Sequence, residues 1–143
     1  MALPVPEPGL VISYAYLWHR EHRKKRTEGA KDRPCVIVLK VERRDDLVIV
    51  TVSPITHRPP TAEMAALGLP DAVKRHLGLD NEKSWIVLDE VNQFAWPGFD
   101  LRPIRGRNGR IDYGFLPPKL FARLVTGIRD VWRKSKGKFV RRE

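Results

Sequence analysis

Cysteine is nearly missing from these 143 residues, with Cys35 the single copy. That excludes an internal disulfide framework, and one cysteine alone makes no cysteine-based zinc site. Long apolar runs are missing too. No stretch approaches the ~20 residues that a membrane-spanning helix needs. The opening segment, residues 1–8, has no basic region followed by an apolar one, so it does not read as a secretory signal. Its prolines, Pro4, Pro6 and Pro8, predict an extended arm. These absences predict a cytoplasmic protein with no membrane partner. Acidic residues are scarce, with 17 Asp and Glu against 27 Lys and Arg, a formal net charge of +10. An excess of that size predicts a polyanionic partner, with nucleic acid the first choice.

What is present fits one domain of 1–143. Apolar residues make up 42% of the chain, enough for a real core, so disorder throughout is excluded. The positive charge is clustered rather than spread. It gathers in a loop over residues 19–30, at Arg102, Arg105, Arg107 and Arg110, and in the tail from Arg133 to Arg142. Clustering of this kind favours a binding surface over a merely solvated one.

Alternating apolar and polar residues over 9–17 predict a strand, and the apolar run 35–41 predicts another, buried on both faces. Residues 43–46 supply a turn into a β-branched strand over 47–53, so the two form a hairpin. Pro54 should end that strand's pairing or place it at an edge. Residues 61–67 and 70–78 read as short helices, with Pro70 at a start and Gly78 at a stop. A strand over 84–89 either continues through 90–96 or pairs with it. Residues 97–110 read as a loop, and 112–116 as a short edge strand. Leu120, Phe121, Leu124, Val125, Ile128, Val131 and Trp132 share one helical stripe, which predicts an amphipathic helix over 118–133. The tail 134–143 reads as frayed. The fold class is mainly β (α+β), a small barrel or half-open sheet with a helix packed on it.

The ordered set Arg33-Pro34-Cys35-Val36-Ile37-Val38-Leu39, Ser53-Pro54-Ile55-Thr56 and Leu88-Asp89-Glu90-Val91 resembles the MazF/PemK toxins of type II toxin–antitoxin pairs. The resemblance covers residues 9–132. It implies an SH3-like barrel, a homodimer, an acidic antitoxin as partner, and cleavage of single-stranded RNA (mRNA) without metal or other cofactor. The alternative is a non-catalytic SH3-like module that binds nucleic acid or a protein target such as gyrase. Glu90 and Val87 keep it open, because cutting members commonly carry Gln at the first position and some carry a basic residue at the second.

Metal-free RNA cleavage needs a base for the 2′-hydroxyl, a cation for the phosphorane and an acid for the leaving oxygen. Arg33 suits the cation, since a guanidinium pairs with phosphate oxygens and stays charged. Thr56 is a candidate for holding the phosphate or the 2′-hydroxyl. Asp89 is a candidate base, or the carboxylate that stores Arg33 in the free protein. His57 offers another proton route. For RNA binding, His19, Arg20, Arg23, Lys24, Lys25, Arg26 and Arg58 are candidate phosphate contacts. Trp96, with Trp18, Tyr16 and Phe99, is a candidate stacking surface for splayed bases, although Tyr16 and Trp96 also suit a core.

Overall fold

The computed structural model describes residues 3–19, 32–61, 64–134 and 138–141. Along the chain run β1 (Leu10–Tyr14), β2 (Arg33–Glu42), β3 (Val48–Thr56), β4 (Ala66–Gly68), α1 (Asp71–Leu77), β5 (Trp85–Val87), β6 (Glu90–Ala95), β7 (Asp112–Phe115), α2 (Pro118–Arg133) and β8 (Lys138–Arg141). Among the described residues the result is a mainly antiparallel sheet with two helices, of the α+β class. No helix among the described residues is long and apolar enough to cross a membrane.

The β2–β3 hairpin is the centre of the sheet. β1 and then β7 extend it on the β2 side. On its other edge β3 meets two partners in succession. Ile49–Val52 pair with β6, and Ile55–Thr56 pair with β5. β5 and β6 are therefore one strand run broken by a corner at Leu88–Asp89. Pro54 is the changeover point. It keeps its place opposite Cys35 of β2, and beyond it β3 pairs with β5. A proline has no N–H to give to a ladder, so a changeover is where a strand tolerates one. The expected end of the strand at Pro54 is thus corrected: β3 runs on to Thr56.

The sheet is strongly curled. β1 and β6 are separated by β2 and β3, which in a flat sheet would put them about 14 Å apart. Yet the rings of Tyr14 (β1) and Phe94 (β6) stack with centroids 4.7 Å apart. Both faces are consequently buried. Leu10, Ile12, Tyr14, Cys35, Ile37, Val50, Val52, Val87 and Phe94 fill the concave side. Val11, Val36, Ile55, Ile86 and Leu88 point the other way, under α1 and α2. The period-2 alternation of a strand puts neighbours on opposite faces, which explains why all five residues of β1 are buried.

α2 begins with Pro118 at its first turn and buries Leu120 and Leu124 against the convex face. Gly127 lets it approach closely, because a Cβ there would lie 3.0 Å from Leu88 Cδ1. The helix thereby braces the Leu88–Asp89 corner.

Two expectations fail. Residues 61–67 were expected to be helical, but Ala66–Gly68 form a strand against β5. Alanine's helix preference is weak, and an unpaired β5 edge offers backbone bonds that override it. The tail is not frayed throughout, since Lys138–Arg141 pair in parallel with β6 and Val140 is buried. We expect Val140→Asp to remove about 3 kcal/mol of stability, because a carboxylate there has no water. A lower urea midpoint checks this, and an unchanged midpoint would show that β8 adds nothing to the fold.

Candidate active site

The end of β3, the start of β2 and the Leu88–Asp89 corner open onto one cleft of about 1300 Å³. Arg33, Thr56, His57, Arg58 and Asp89 all line it, together with Trp18, His19 and Glu90. The hairpin register explains part of this gathering. Cys35 lies opposite Pro54, so Arg33 on β2 and Thr56 on β3 leave the same end of the hairpin. Thr56 in turn pairs with Trp85, which brings the β5–β6 run alongside.

Arg33 is half-buried, with its guanidinium over the Trp18 ring at 5.0 Å from the centroid. Trp18 is itself buried, edge-on to Tyr16. The ring face holds the guanidinium at the cleft. Thr56 Oγ1 accepts a hydrogen bond from the Arg58 N–H at 3.1 Å. Its hydroxyl proton is thereby directed away from that turn and can be given to a phosphate oxygen. Asp89 is buried at the corner.

The segment carrying Trp18 is fixed by two residues of β6: Asn92, which sequence reasoning passed over, and Glu90, which it read only as a departure from the cutting pattern. Buried Asn92 on β6 accepts from the Leu17 N–H at 2.9 Å and donates to the Leu17 carbonyl at 2.8 Å. Glu90 accepts from the His19 N–H at 2.6 Å. Glu90 therefore anchors the entry to the basic loop. Arg20, Arg23, Lys24, Lys25 and Arg26 of that loop lie outside the described residues.

The far wall contains a further group. His57 Nε2 lies 3.1 and 2.9 Å from the two oxygens of Asp80. Asp80 Oδ1 also accepts from Lys74 Nζ at 2.8 Å and from the Glu82 N–H at 3.1 Å. Burial alone would raise the Asp80 carboxyl, but the bonds from Lys74, Glu82 and His57 outweigh it and hold it below the ordinary 3.8. A carboxyl depressed in the fold contributes stability that is present above its unfolded value and lost as pH falls through the folded one. We expect thermal stability to drop on acidification below about pH 3.8, with that part of the drop absent in Asp80→Asn. Identical acid limbs in the two proteins would contradict the pairing.

His57, Asp80 and Glu82 also place ligand atoms within 4.8 Å of one another, the one such metal-compatible group among the described residues. The fit to a cation is poor. The Lys74 ammonium already lies on the Asp80 carboxylate, and a dication would meet it head on.

The arginines of residues 97–111 divide by task. Arg102 faces Asp32 and Asp100, Arg107 donates to the Leu77 carbonyl at the end of α1, and Arg110 pairs with Asp112. Gly78 has φ +70°, and a Cβ there would collide with the Arg107 guanidinium. Arg105, by contrast, lines the cleft. Tyr113 also lines it. Burial pushes its phenol above the ordinary 10.0, against a hydrogen bond from the Ser13 side and the nearby Arg107, so it stays a neutral donor. Burial likewise pushes the Cys35 thiol up, opposed by Arg33, which leaves it an unreactive core residue.

Of the proposed stacking surfaces, Tyr16 belongs to the core and Trp96 packs against Phe94, away from the cleft lining. Phe99 is fully exposed but also outside the lining. Trp18 alone of the four lines the cleft. No protein-family model, curated protein or solved structure matches the chain.

Proposed function

We propose that this protein is a MazF/PemK-like ribonuclease toxin with an SH3-like barrel, cutting single-stranded RNA in the cleft by attack of the 2′-hydroxyl. The observation that carries the reading is the meeting of Arg33, Thr56, His57 and Asp89 in one cleft, although 56 positions separate the first from the last. A guanidinium, a hydroxyl, an imidazole and a carboxylate are the groups that such a transesterification uses.

In this reading Arg33 binds the scissile phosphate and offsets the charge that builds on the phosphorane. Thr56 donates to a phosphate oxygen. Asp89 and His57 are the two proton carriers: one takes the 2′-hydroxyl proton and the other protonates the departing 5′-oxygen. The products are a 2′,3′-cyclic phosphate and a 5′-hydroxyl, so electrons and protons balance without an added cofactor. Arg58, Arg105 and the basic loop lead the flanking phosphates into the cleft. The charge of +10 also suits an acidic antitoxin segment that folds onto the same cleft. The toxin acts as a homodimer in the cytoplasm.

The 2′-hydroxyl requirement gives the test. An RNA oligonucleotide should be cut in EDTA, and a DNA oligonucleotide of the same sequence should be bound but left whole. Cutting of both strands would exclude the mechanism. Binding of both without cutting would favour a non-catalytic nucleic-acid module.

A further inference from the structure

His57 and Asp80 lie on the wall of the cleft with buried Lys74 bonded to Asp80, and nothing in the ribonuclease reading requires Asp80 or Lys74. Lys74 is the more unusual. It stands on α1, a helix of seven residues, with its side chain only 3% exposed. An ammonium withdrawn from water to this degree is held only where partners replace the solvent. Here the partners are Asp80 Oδ1 and the Glu82 carbonyl. The Ser84 hydroxyl donates to that same carbonyl at 3.2 Å, and the Glu82 N–H closes back on Asp80. The loop between α1 and β5 is thus wound around one buried cation. Its outward-facing product is a carboxylate aimed at the ring of His57.

We propose that Asp80 is the positioning residue of the cleft's imidazole: it fixes His57 with the hydrogen on Nε2, and buried Lys74 fixes Asp80. The proposal rests on the ribonuclease reading for its use, but its geometry stands apart from it. A carboxylate can only accept, so the ring nitrogen facing it must donate. Nδ1 is then the nitrogen left to exchange a proton. Its nearest carboxylate, Glu82, is 3.7 Å away, outside hydrogen-bond range. An imidazole held in one tautomer and one rotation offers the same nitrogen to every substrate, whereas a free surface histidine would sample both. Lys74 also explains why the carboxylate does not rotate away, since its ammonium and the Glu82 N–H both hold Asp80 Oδ1.

Asp80→Asn is the informative variant. Its amide oxygen still accepts from Lys74, so the loop is retained, but its NH2 now faces His57 and demands an acceptor there. The tautomer is thereby reversed. We expect kcat for cleavage of single-stranded RNA in EDTA to fall about 10- to 100-fold, with KM within about twofold. In the His57→Ala background, the same Asp80→Asn change should have no further effect. Equal losses in both backgrounds would show that Asp80 is only structural, and would overturn the proposal.

A second measurement needs no activity. In the free protein at about pH 8.5, where an ordinary imidazole is neutral, nitrogen NMR of the His57 ring should show the proton on Nε2. A mixed tautomer, or one with the proton on Nδ1, would overturn the proposal even if Asp80→Asn fails to fold. If the wild type shows the Nε2–H tautomer but cuts no RNA, the positioning contact stands and the ribonuclease reading falls.

Discussion

Replacing Arg33 by alanine is expected to lower RNA cleavage about a thousandfold while leaving the fold in place. The magnitude follows from the task. A cation aimed at charge that exists only in the transition state supplies about 3–4 kcal/mol, and its loss is read almost entirely in kcat. The contact with the Trp18 ring is worth about 1 kcal/mol of stability, which by itself moves the melting temperature of a chain of this length by about 2–4 °C. Lysine at the same place should recover part of the rate, since it restores the charge but not the two-pronged hydrogen bonding of a guanidinium. A single-turnover assay alongside a thermal melt separates the two effects. Cleavage at the normal rate by a folded Arg33→Ala protein would remove Arg33 from the chemistry.

A loss of stability as large as that at Val140 is expected at Asn92, which is fully buried. Its amide accepts from the Leu17 N–H and donates to the Leu17 carbonyl, in a place closed to solvent. Alanine there leaves both backbone groups buried without those partners, which is far more damaging than the loss of two exposed bonds. About 3 kcal/mol should disappear, and the melting temperature should fall by about 6–12 °C. The same change should weaken the site. Residues 15–18 are tied to β6 through this clamp, and Trp18 at their end is the surface on which Arg33 rests. Asn92→Ala should therefore reduce activity per folded molecule as well. A melt within about 2 °C of the wild type would mean that the clamp adds little and that water or neighbours replace it.

Much of the framework is legible in the order of residues. The β-branched runs of β2 and β3 and the turn at Arg43–Asp46 follow from strand alternation and turn chemistry, and the stripe from Leu120 to Val131 follows from helical spacing. The residues singled out from the sequence, Arg33, Thr56, His57 and Asp89, line one cleft because the hairpin register and the β5–β6 corner bring their elements to the same end of the sheet. What was not legible depended on partners that only the folded chain brings together. Asn92 reads as an ordinary polar residue on a strand, because its partner Leu17 is 75 positions earlier. Lys74, between Val73 and Arg75 on a short helix, reads as surface. Only the fold of the loop around Asp80 and Glu82 buries it. The alanines of residues 61–67 suggested a helix, but at Ala66 local preference gave way to the open edge of β5, while residues 62–63 lie outside the described residues. The four arginines of residues 102–110 look alike as text, yet three are committed to Asp32 and Asp100, to the end of α1, and to Asp112. Arg105 differs in facing the cleft.

The most direct measurement is the chemistry of the cut ends. Purified protein incubated with a long single-stranded RNA in excess EDTA should yield fragments that end in a 2′,3′-cyclic phosphate and begin with a 5′-hydroxyl. RNA recovered intact, or fragments carrying a 3′-hydroxyl and a 5′-phosphate, would contradict a cleft in which the neighbouring hydroxyl is the nucleophile.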